Sequence, residues 1–439
     1  MKNSQIDYDR LITLALAALF FASLALTIVS VSVGNSPMLI VGDGKGYYAW
    51  ARSVILDGDI DFTNDYKLLY PPDIPPGYMG VRTPNGLVSN IYSIGMAIIE
   101  IPGLLVAHCI TVLLFPEKAD GVSLLYQICI TWPLIALILF SFHLLYRAMV
   151  SMGVSKFWAF WFCITALVGS NLIHYTAKEP TMSHGAGVAL INILVFFIAR
   201  YDMETHLPSW VKIIRLGLLA GLLLLVRNTN LVVLPSIAAL AFFYFRFKAR
   251  NILCIAAAAI PVTILQPVAL YFLWGEPRLT PYYCAAFNSG LQGITVTLFS
   301  LRHGLFIINP WYAVLLVLAL WGVSIPGRLR NLSFWALISF AGLSIINGLW
   351  SFTMVGHCFG SRAFIELLPM LSVAGSLVAT EKNVCHKRIL ALMTCMLICI
   401  ALNIYLWLGF LLRAYPIDGS NSIVYIYLWI FRVIGHSAP

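Results

Sequence analysis

Asp43 stands between two glycines in Val41-Gly42-Asp43-Gly44-Lys45-Gly46-Tyr47-Tyr48. Glycines let the backbone turn tightly there, and a carboxylate held on such a turn can take a proton as a general base. The same acid at the head of a helix can instead cap backbone N–H groups, and the two readings stand level. A second acid, Glu179, lies in His174-Tyr175-Thr176-Ala177-Lys178-Glu179-Pro180-Thr181-Met182-Ser183-His184. An acid before proline suits a helix start, but two His, a Lys and a Glu this close to an apolar run are also candidates for function. His and Glu there leave room for a divalent metal, although no spacing is diagnostic. Arg227, Arg302 and Arg362 each stand at the outer end of an expected helix, and with Lys45 and Lys178 of the outer segments they form a cationic set. Singly, each can snorkel to the surface; together they suit an anionic head group such as a phosphate. Tyr47, Tyr48, His184, His303 and His357 flank these charges and are the candidate substrate contacts. Asp57, Asp59 and Asp61 imitate the start of a calcium loop, but Phe62 stands where glycine is needed and Leu68 where the bidentate Glu belongs. A solvated turn is the better reading.

The elements that position these residues must be membrane helices. The chain has 439 residues, 60% hydrophobic and 10% charged, with a mean hydropathy of +0.88, against about 25% charged in a soluble domain. That composition excludes a cytosolic enzyme, a disordered chain and a disulfide scaffold. The nine cysteines have no metal spacing and fall mostly in apolar runs, where a small hydrophobe is the plain reading. Cys284 and Cys358 fall in loops expected outside, and nothing in the sequence supports a bond between them. Leu11–Val33 is uncharged, lacks a good cleavage site and reads as a signal anchor. Further spans are expected at Ser123–Tyr146, Phe157–Ile173, Gly185–Ala199, Trp210–Val226, Leu231–Phe245, Ile252–Trp274, Leu305–Ile325, Leu332–Trp350, Ala363–Thr380 and Ile389–Leu412. The run Ile91–Phe115 contains Glu100, Pro102 and His108 and suits a broken or interfacial hairpin. Keeping it out of the count gives eleven crossings, with the amino terminus inside. The inside segments then hold 15 basic and 5 acidic residues and the outside the remaining 12 and 13, as the positive-inside rule requires. Splitting Trp210–Phe245 at Arg227-Asn228-Thr229-Asn230 keeps Arg227 away from mid-membrane, where it would cost about 2.5–3.5 kcal/mol. The fold class expected is therefore all-α and polytopic. Residues 1–412 form one transmembrane domain, 34–121 its largest outer loop, and 413–439 a short outer tail with one interfacial helix at Ile423–Ile434. Tyr47–Leu56 reads as a short amphipathic helix lying in the interface.

These residues resemble a known class. The chain resembles the polytopic GT-C glycosyltransferases, bacterial enzymes that use polyprenyl-phosphate sugars, over about Leu11 to Thr380. The likeness is carried by Gly42-Asp43-x-Lys45-x-Tyr47-Tyr48, Leu56-Asp57-Gly58-Asp59, Tyr92-Ser93-Ile94-Gly95, Glu179-Pro180-x-Met182-Ser183-His184, Arg227-x-Thr229-Asn230, Leu298-Phe299-Ser300 with Arg302-His303-Gly304-Leu305-Phe306, and Phe359-Gly360-Ser361-Arg362. No one of these motifs decides; their order and shared sidedness carry the likeness. The resemblance implies a general base in the first outer loop, which maps onto Asp43, and interfacial helices in that loop. It also implies cations around the lipid phosphate, and a second loop acid for which Asp57, Asp59 and Glu179 compete. The reaction implied is inverting transfer from a polyprenyl-phosphate donor to a glycan or lipid-linked acceptor, on the outer face of the bacterial inner membrane. No nucleic acid partner and no certain cofactor are expected.

Two rivals remain at this stage. A polyprenyl-lipid flippase or other transporter often shows repeated halves and broken helices near mid-membrane, whereas no internal repeat is found and the polar residues collect at one face. A polysaccharide polymerase or ligase also presents arginines to a polyprenyl carrier, but its largest outer loop is expected late in the chain, not first.

Overall fold

The computed structural model describes residues 6–33, 38–70, 81–201, 210–282, 287, 289–301, 303–350, 358–381, 386–414 and 429. Arg302, His357 and Cys284 lie outside the described residues, as does all of Ile423–Ile434 except Trp429. Among the described residues the chain forms helices and no strand. Helix α1 (Tyr8–Val33) leads to a segment carrying α2 (Gly44–Arg52), α3 (Thr63–Leu69) and α4 (Gly95–Leu114). Then come α5 (Leu124–Ser151), α6 (Lys156–Val168), the short α7 (Leu172–Ala177), α8 (Ser183–Arg200) and α9 (Trp210–Val226). The chain continues through α10 (Leu234–Ala239), α11 (Ala249–Thr263), α12 (Leu265–Trp274), α13 (Gln292–Phe299) and α14 (Leu305–Ile308). It closes with α15 (Trp311–Ser324), α16 (Arg328–Leu349), α17 (Leu368–Thr380) and α18 (His386–Leu411).

Eight helical stretches among the described residues are long and apolar enough to cross a membrane. Their surroundings differ sharply. In the most apolar stretch of Ala249–Trp274 only 11% of residues are buried, against 72% for Ser183–Arg200 and 83% for Arg362–Thr380. A 26-residue apolar helix that exposes Leu253, Ile260, Ile264, Val268 and Phe272 needs lipid around it, since water does not tolerate so long an apolar face. Hydropathy cannot choose the centre of such a bundle, because lipid is as apolar as leucine. Small residues do: α8 carries Gly185, Ala186, Gly187 and Ala189, and α17 carries Ala374, Gly375 and Ser376. These two helices are the central pair, packed between α5, α6, α15 and α16.

Seven of the eight stretches fall on expected spans; the eighth is α4. The other four expected spans are shorter helical pieces, and three of them show why. Pro310 ends α14, because proline has no N–H to continue the ladder, so Leu305–Ile325 is divided at Asn309-Pro310. Phe157–Ile173 is divided at Gly169-Ser170-Asn171 between α6 and α7. Arg227 is extended (φ −159°, ψ 120°) and breaks the chain between α9 and the 3-10 turn Asn228–Val232, where the break was expected.

Two expectations need correction. The run Ile91–Phe115 is not a broken hairpin: α4 is continuous for 20 residues with Pro102 inside it. It packs by Gly95 against the backbone of Leu225 and Val226 at the end of α9, and by Gly103 against the carbonyl of Cys129 near the start of α5. The helix beginning at Tyr47 does not lie exposed in an interface. Tyr48 and Trp50 are fully buried and Tyr47 nearly so, because the indole packs edge-on to Phe62 at 4.7 Å and donates to the Tyr92 carbonyl at 2.9 Å. Asp57, Asp59 and Asp61 are engaged locally: Asp57 meets Arg52 at 2.5 Å, Asp59 accepts from Ser53 Oγ at 2.9 Å, and Asp61 accepts from Thr63 Oγ1 at 2.8 Å.

Candidate active site

Two turns pressed together build the site. Gly42 has φ +56°, in the left-handed region that favours glycine, and delivers Asp43 to the head of α2. A Cβ on Gly44 would stand 2.2 Å from Thr181 Oγ1, so α2 touches the Glu179–Met182 turn at closest range. That turn is closed by the Met182 N–H donating to the Glu179 carbonyl at 3.1 Å. Asp43 makes no side-chain cap. Its Oδ2 instead pairs with Arg362 Nη2 at 2.8 Å, and its Oδ1 accepts from the Tyr92 hydroxyl at 3.2 Å. The capping alternative for Asp43 is thereby set aside. The carboxylate side chain stays 28% exposed and the guanidinium 19%, so the pair is reachable from outside.

Arg362 pairs with Asp43, and its charge also acts at longer range on Glu179, together with those of His174 and Lys178. Burial raises the Glu179 pKa, and these groups outweigh it, leaving the carboxyl below its ordinary value. His174 Nε2 lies 3.4 Å from Glu179 Oε1. Tyr47, whose own ionisation is pushed up by burial, donates to Ser183 Oγ at 3.1 Å and packs at a 60° tilt against Tyr92 with ring centroids 4.9 Å apart. It thus ties α2 to the start of α8.

Below this pair lies a second charged group. His184 Nδ1 is 3.0 Å from Glu366 Oε1, and Arg227 Nη1 is 2.8 Å from His184 Nε2. The same Arg227 nitrogen is 3.0 Å from His184 Nδ1, so the guanidinium lies against the ring between its two nitrogens, and the imidazole bridges a cation and an anion. Arg227 Nε stands 4.0 Å from the same Glu366 oxygen and donates to Thr229 Oγ1 at 2.7 Å. Tyr282 lies within electrostatic reach of Asp43, Arg227 and Arg362.

The structure therefore brings together Asp43, Glu179, Arg362, Tyr47, His184 and Arg227. Others are directed elsewhere. Tyr48 donates to the Gly121 carbonyl, away from the Asp43 pair. Lys45 Nζ sits 4.7 Å over the Tyr70 ring, and Lys178 Nζ donates to Ser30 Oγ on α1 at 2.9 Å. Burial lowers the pKa of both lysines. His303 is buried, its backbone N–H donating to Ser300 Oγ at 3.2 Å. Arg302 and His357 lie outside the described residues. Among the described residues no three His, Cys, Asp or Glu side chains gather as a metal-holding group.

Sequence reasoning missed Glu366 and Tyr92 as site residues. Glu366 had a signal, an acid inside the apolar run Ala363–Thr380, where a charge is costly unless paired. Tyr92 had none beyond its place in a motif. No protein-family model, no curated protein and no solved structure matches this chain. The site's own geometry is an open carboxylate beside a guanidinium, a second acid held near His174, and a closed charged triad beneath.

Proposed function

We propose that this chain is a multi-pass membrane glycosyltransferase of the GT-C kind, moving a sugar from a polyprenyl-phosphate carrier to a glycan or lipid-linked acceptor. The observation that carries the reading is the Asp43 carboxylate, uncommitted to any cap, 28% exposed and paired with Arg362 at 2.8 Å. Glu366, by contrast, is closed off at 2% exposure.

The chemistry is a single displacement. The acceptor hydroxyl gives its proton to Asp43 while its oxygen bonds to C1 of the sugar. The bond from C1 to the carrier oxygen breaks, its electron pair leaves with polyprenyl phosphate, and the configuration inverts. At rest, Arg362 is paired with Asp43. An arriving phosphate competes for the guanidinium, so donor binding both neutralises the leaving group and frees the base. Arg227 supplies a second cation nearby, with its charge already balanced in part by Glu366.

The distribution of basic residues supports placing the Asp43 end of the bundle on the outer side of a bacterial inner membrane. The contacts of α4 with the end of α9 and the start of α5 support its lying across helix ends on that side, leaving eleven crossings. A lipid carrier suits this arrangement, since its tail stays in the bilayer while its head reaches Arg362.

The test is Asp43→Asn in purified protein supplied with a polyprenyl-phosphate sugar. General-base catalysis contributes about 10²–10⁴-fold, so transfer should fall by that factor with donor binding retained. Near-wild-type turnover would end the assignment and move it to Glu179.

A further inference from the structure

Helix α18 is a peripheral element by its surface, with only 22% of its most apolar stretch buried. Yet one face reaches the site. Asn403 Nδ2 donates to the carbonyls of Val168 and Ser170, each at 2.7 Å, clamping the turn between α6 and α7. One turn further along, Trp407 Nε1 donates to His174 Nδ1 at 3.1 Å. Phe410 completes the face with its ring centroid 5.1 Å from the imidazole, nearly perpendicular to it. His174 itself is 1% exposed and is walled further by Tyr175 at 5.0 Å and Phe359 at 5.9 Å.

The chemistry of the indole decides the state of this histidine. An indole N–H is a donor only, so the nitrogen it meets must be the bare acceptor of the imidazole. The ring proton is then on Nε2, the nitrogen that faces Glu179 at 3.4 Å. Trp407 N–H donates to His174 Nδ1, and the Nε2–H is left 3.4 Å from Glu179, in ion-pair range but outside hydrogen-bond geometry. The charges around the pair are Glu179 and Lys178 from the turn before α8, Arg362 from the segment before α17, and Arg413 beyond α18.

We propose that Trp407 and His174 are positioning residues of the site, which fix Glu179 as an oriented carboxylate beside Arg362. This rests on the transferase reading. In that setting the Glu179 charge acts on the Arg362–Asp43 pair from a distance, so holding Glu179 in place keeps the field at the base fixed. A loose Glu179 would change that field, and the Asp43 pair with it. Neither Trp407 nor His174 touches the Asp43 carboxylate; both act through Glu179.

The experiment uses the full chain in lipid nanodiscs with ¹⁵N-labelled histidine, the His174 signal being assigned by its loss in His174→Gln. In the wild type, Nδ1 should report a bare nitrogen and Nε2 a protonated one. In Trp407→Phe, which keeps an aromatic ring and removes the N–H, the two tautomers should mix. An Nδ1–H tautomer in the wild type, or an unchanged spectrum in Trp407→Phe, would overturn the proposal whatever the protein's activity. Transfer is measured separately. Removing a buried polar side chain packed at 3.4 Å from a carboxylate should make His174→Ala lose about 10-fold or more. His174→Gln can present an oxygen to Trp407 and an N–H to Glu179, so it should recover most of that loss. If Gln is as poor as Ala while both remain folded, the positioning role fails. If the spectra behave as stated and the wild type transfers no sugar, the transferase reading fails and the fixed tautomer stands.

Discussion

Replacing Gly44 by alanine should damage this protein even though alanine is the better helix former. Gly44 opens α2 without a left-handed φ, so local propensity alone would favour alanine by about 1 kcal/mol. The contact overrides that preference. The added Cβ would meet Thr181 Oγ1 at 2.2 Å and Thr181 Cβ at 2.9 Å, while the next atom, the Thr181 carbonyl carbon, stands at 3.4 Å. Overpacking of this kind costs about 1–3 kcal/mol. Relief by movement would pull Asp43 away from Glu179 and Arg362, and a displacement of about 1 Å at a reacting group can cost about 10²-fold in rate. The same numbers name the suppressor. Thr181→Gly removes both close atoms and leaves the 3.4 Å contact, which is ordinary packing. It sacrifices no hydrogen bond, since the buried Thr181 Oγ1 has no partner. The double variant should therefore regain most of the activity and melting temperature lost by Gly44→Ala, less about 1 kcal/mol for the new glycine. The assays are thermal unfolding in detergent and sugar transfer. Gly44→Ala behaving as wild type in both, or no recovery on adding Thr181→Gly, would refute the close docking of the two turns.

Two further outcomes follow from the charges. Glu366→Leu should destabilise by about 3 kcal/mol, because it leaves Arg227 facing a buried site without its anion, whereas Glu366→Gln still accepts from His184 and should lose much less; equal melting of the two would remove the triad from the stability argument. The Glu179 carboxyl is held below its ordinary value of 4.5, so its stabilising contribution is complete above that pH and fades as pH falls through the lower folded value. Glu179→Gln should accordingly show a shallower loss of melting temperature on acidification below about pH 4.5, and an identical acid limb in both proteins would count against it.

The helices were legible because apolar length is a strong, local signal. The interruption at Arg227 could be placed from the cost of a buried arginine alone. Pro310 and Gly169-Ser170-Asn171 carried equally local breaking chemistry, yet hydropathy averaged over those runs hid it. The reading failed where the outcome depends on a partner. Pro102 suggested a broken helix, but α4 is continuous across it, packed on α2, α5 and α9. Tyr47, Tyr48 and Trp50 have the composition of an interfacial belt, and only Phe62, Tyr92 and the end of the bundle turn that composition into core.

The site was half legible for a related reason. Asp43, Glu179, Arg227 and Arg362 announce themselves, since charges are rare in this chain and each must be matched. What the sequence could not supply is who matches whom. Five cations looked equivalent, yet Arg362 and Arg227 meet acids, while Lys45 settles on a tyrosine ring and Lys178 on a serine of α1. Guanidinium explains the division: its planar fork can serve more than one partner at once, as Arg227 does between His184 and Glu366, while Arg362 pairs with Asp43. The lysines, with compact charges on flexible stems, take the edge positions. Both histidines that border the acids meet a donor, Arg227 against the His184 ring and Trp407 at His174 Nδ1. The positive charge facing the open carboxylate comes from arginine, which does not lose it in any physiological pH range, and a phosphate arriving at Arg362 meets a cation whose charge does not depend on a titrating neighbour.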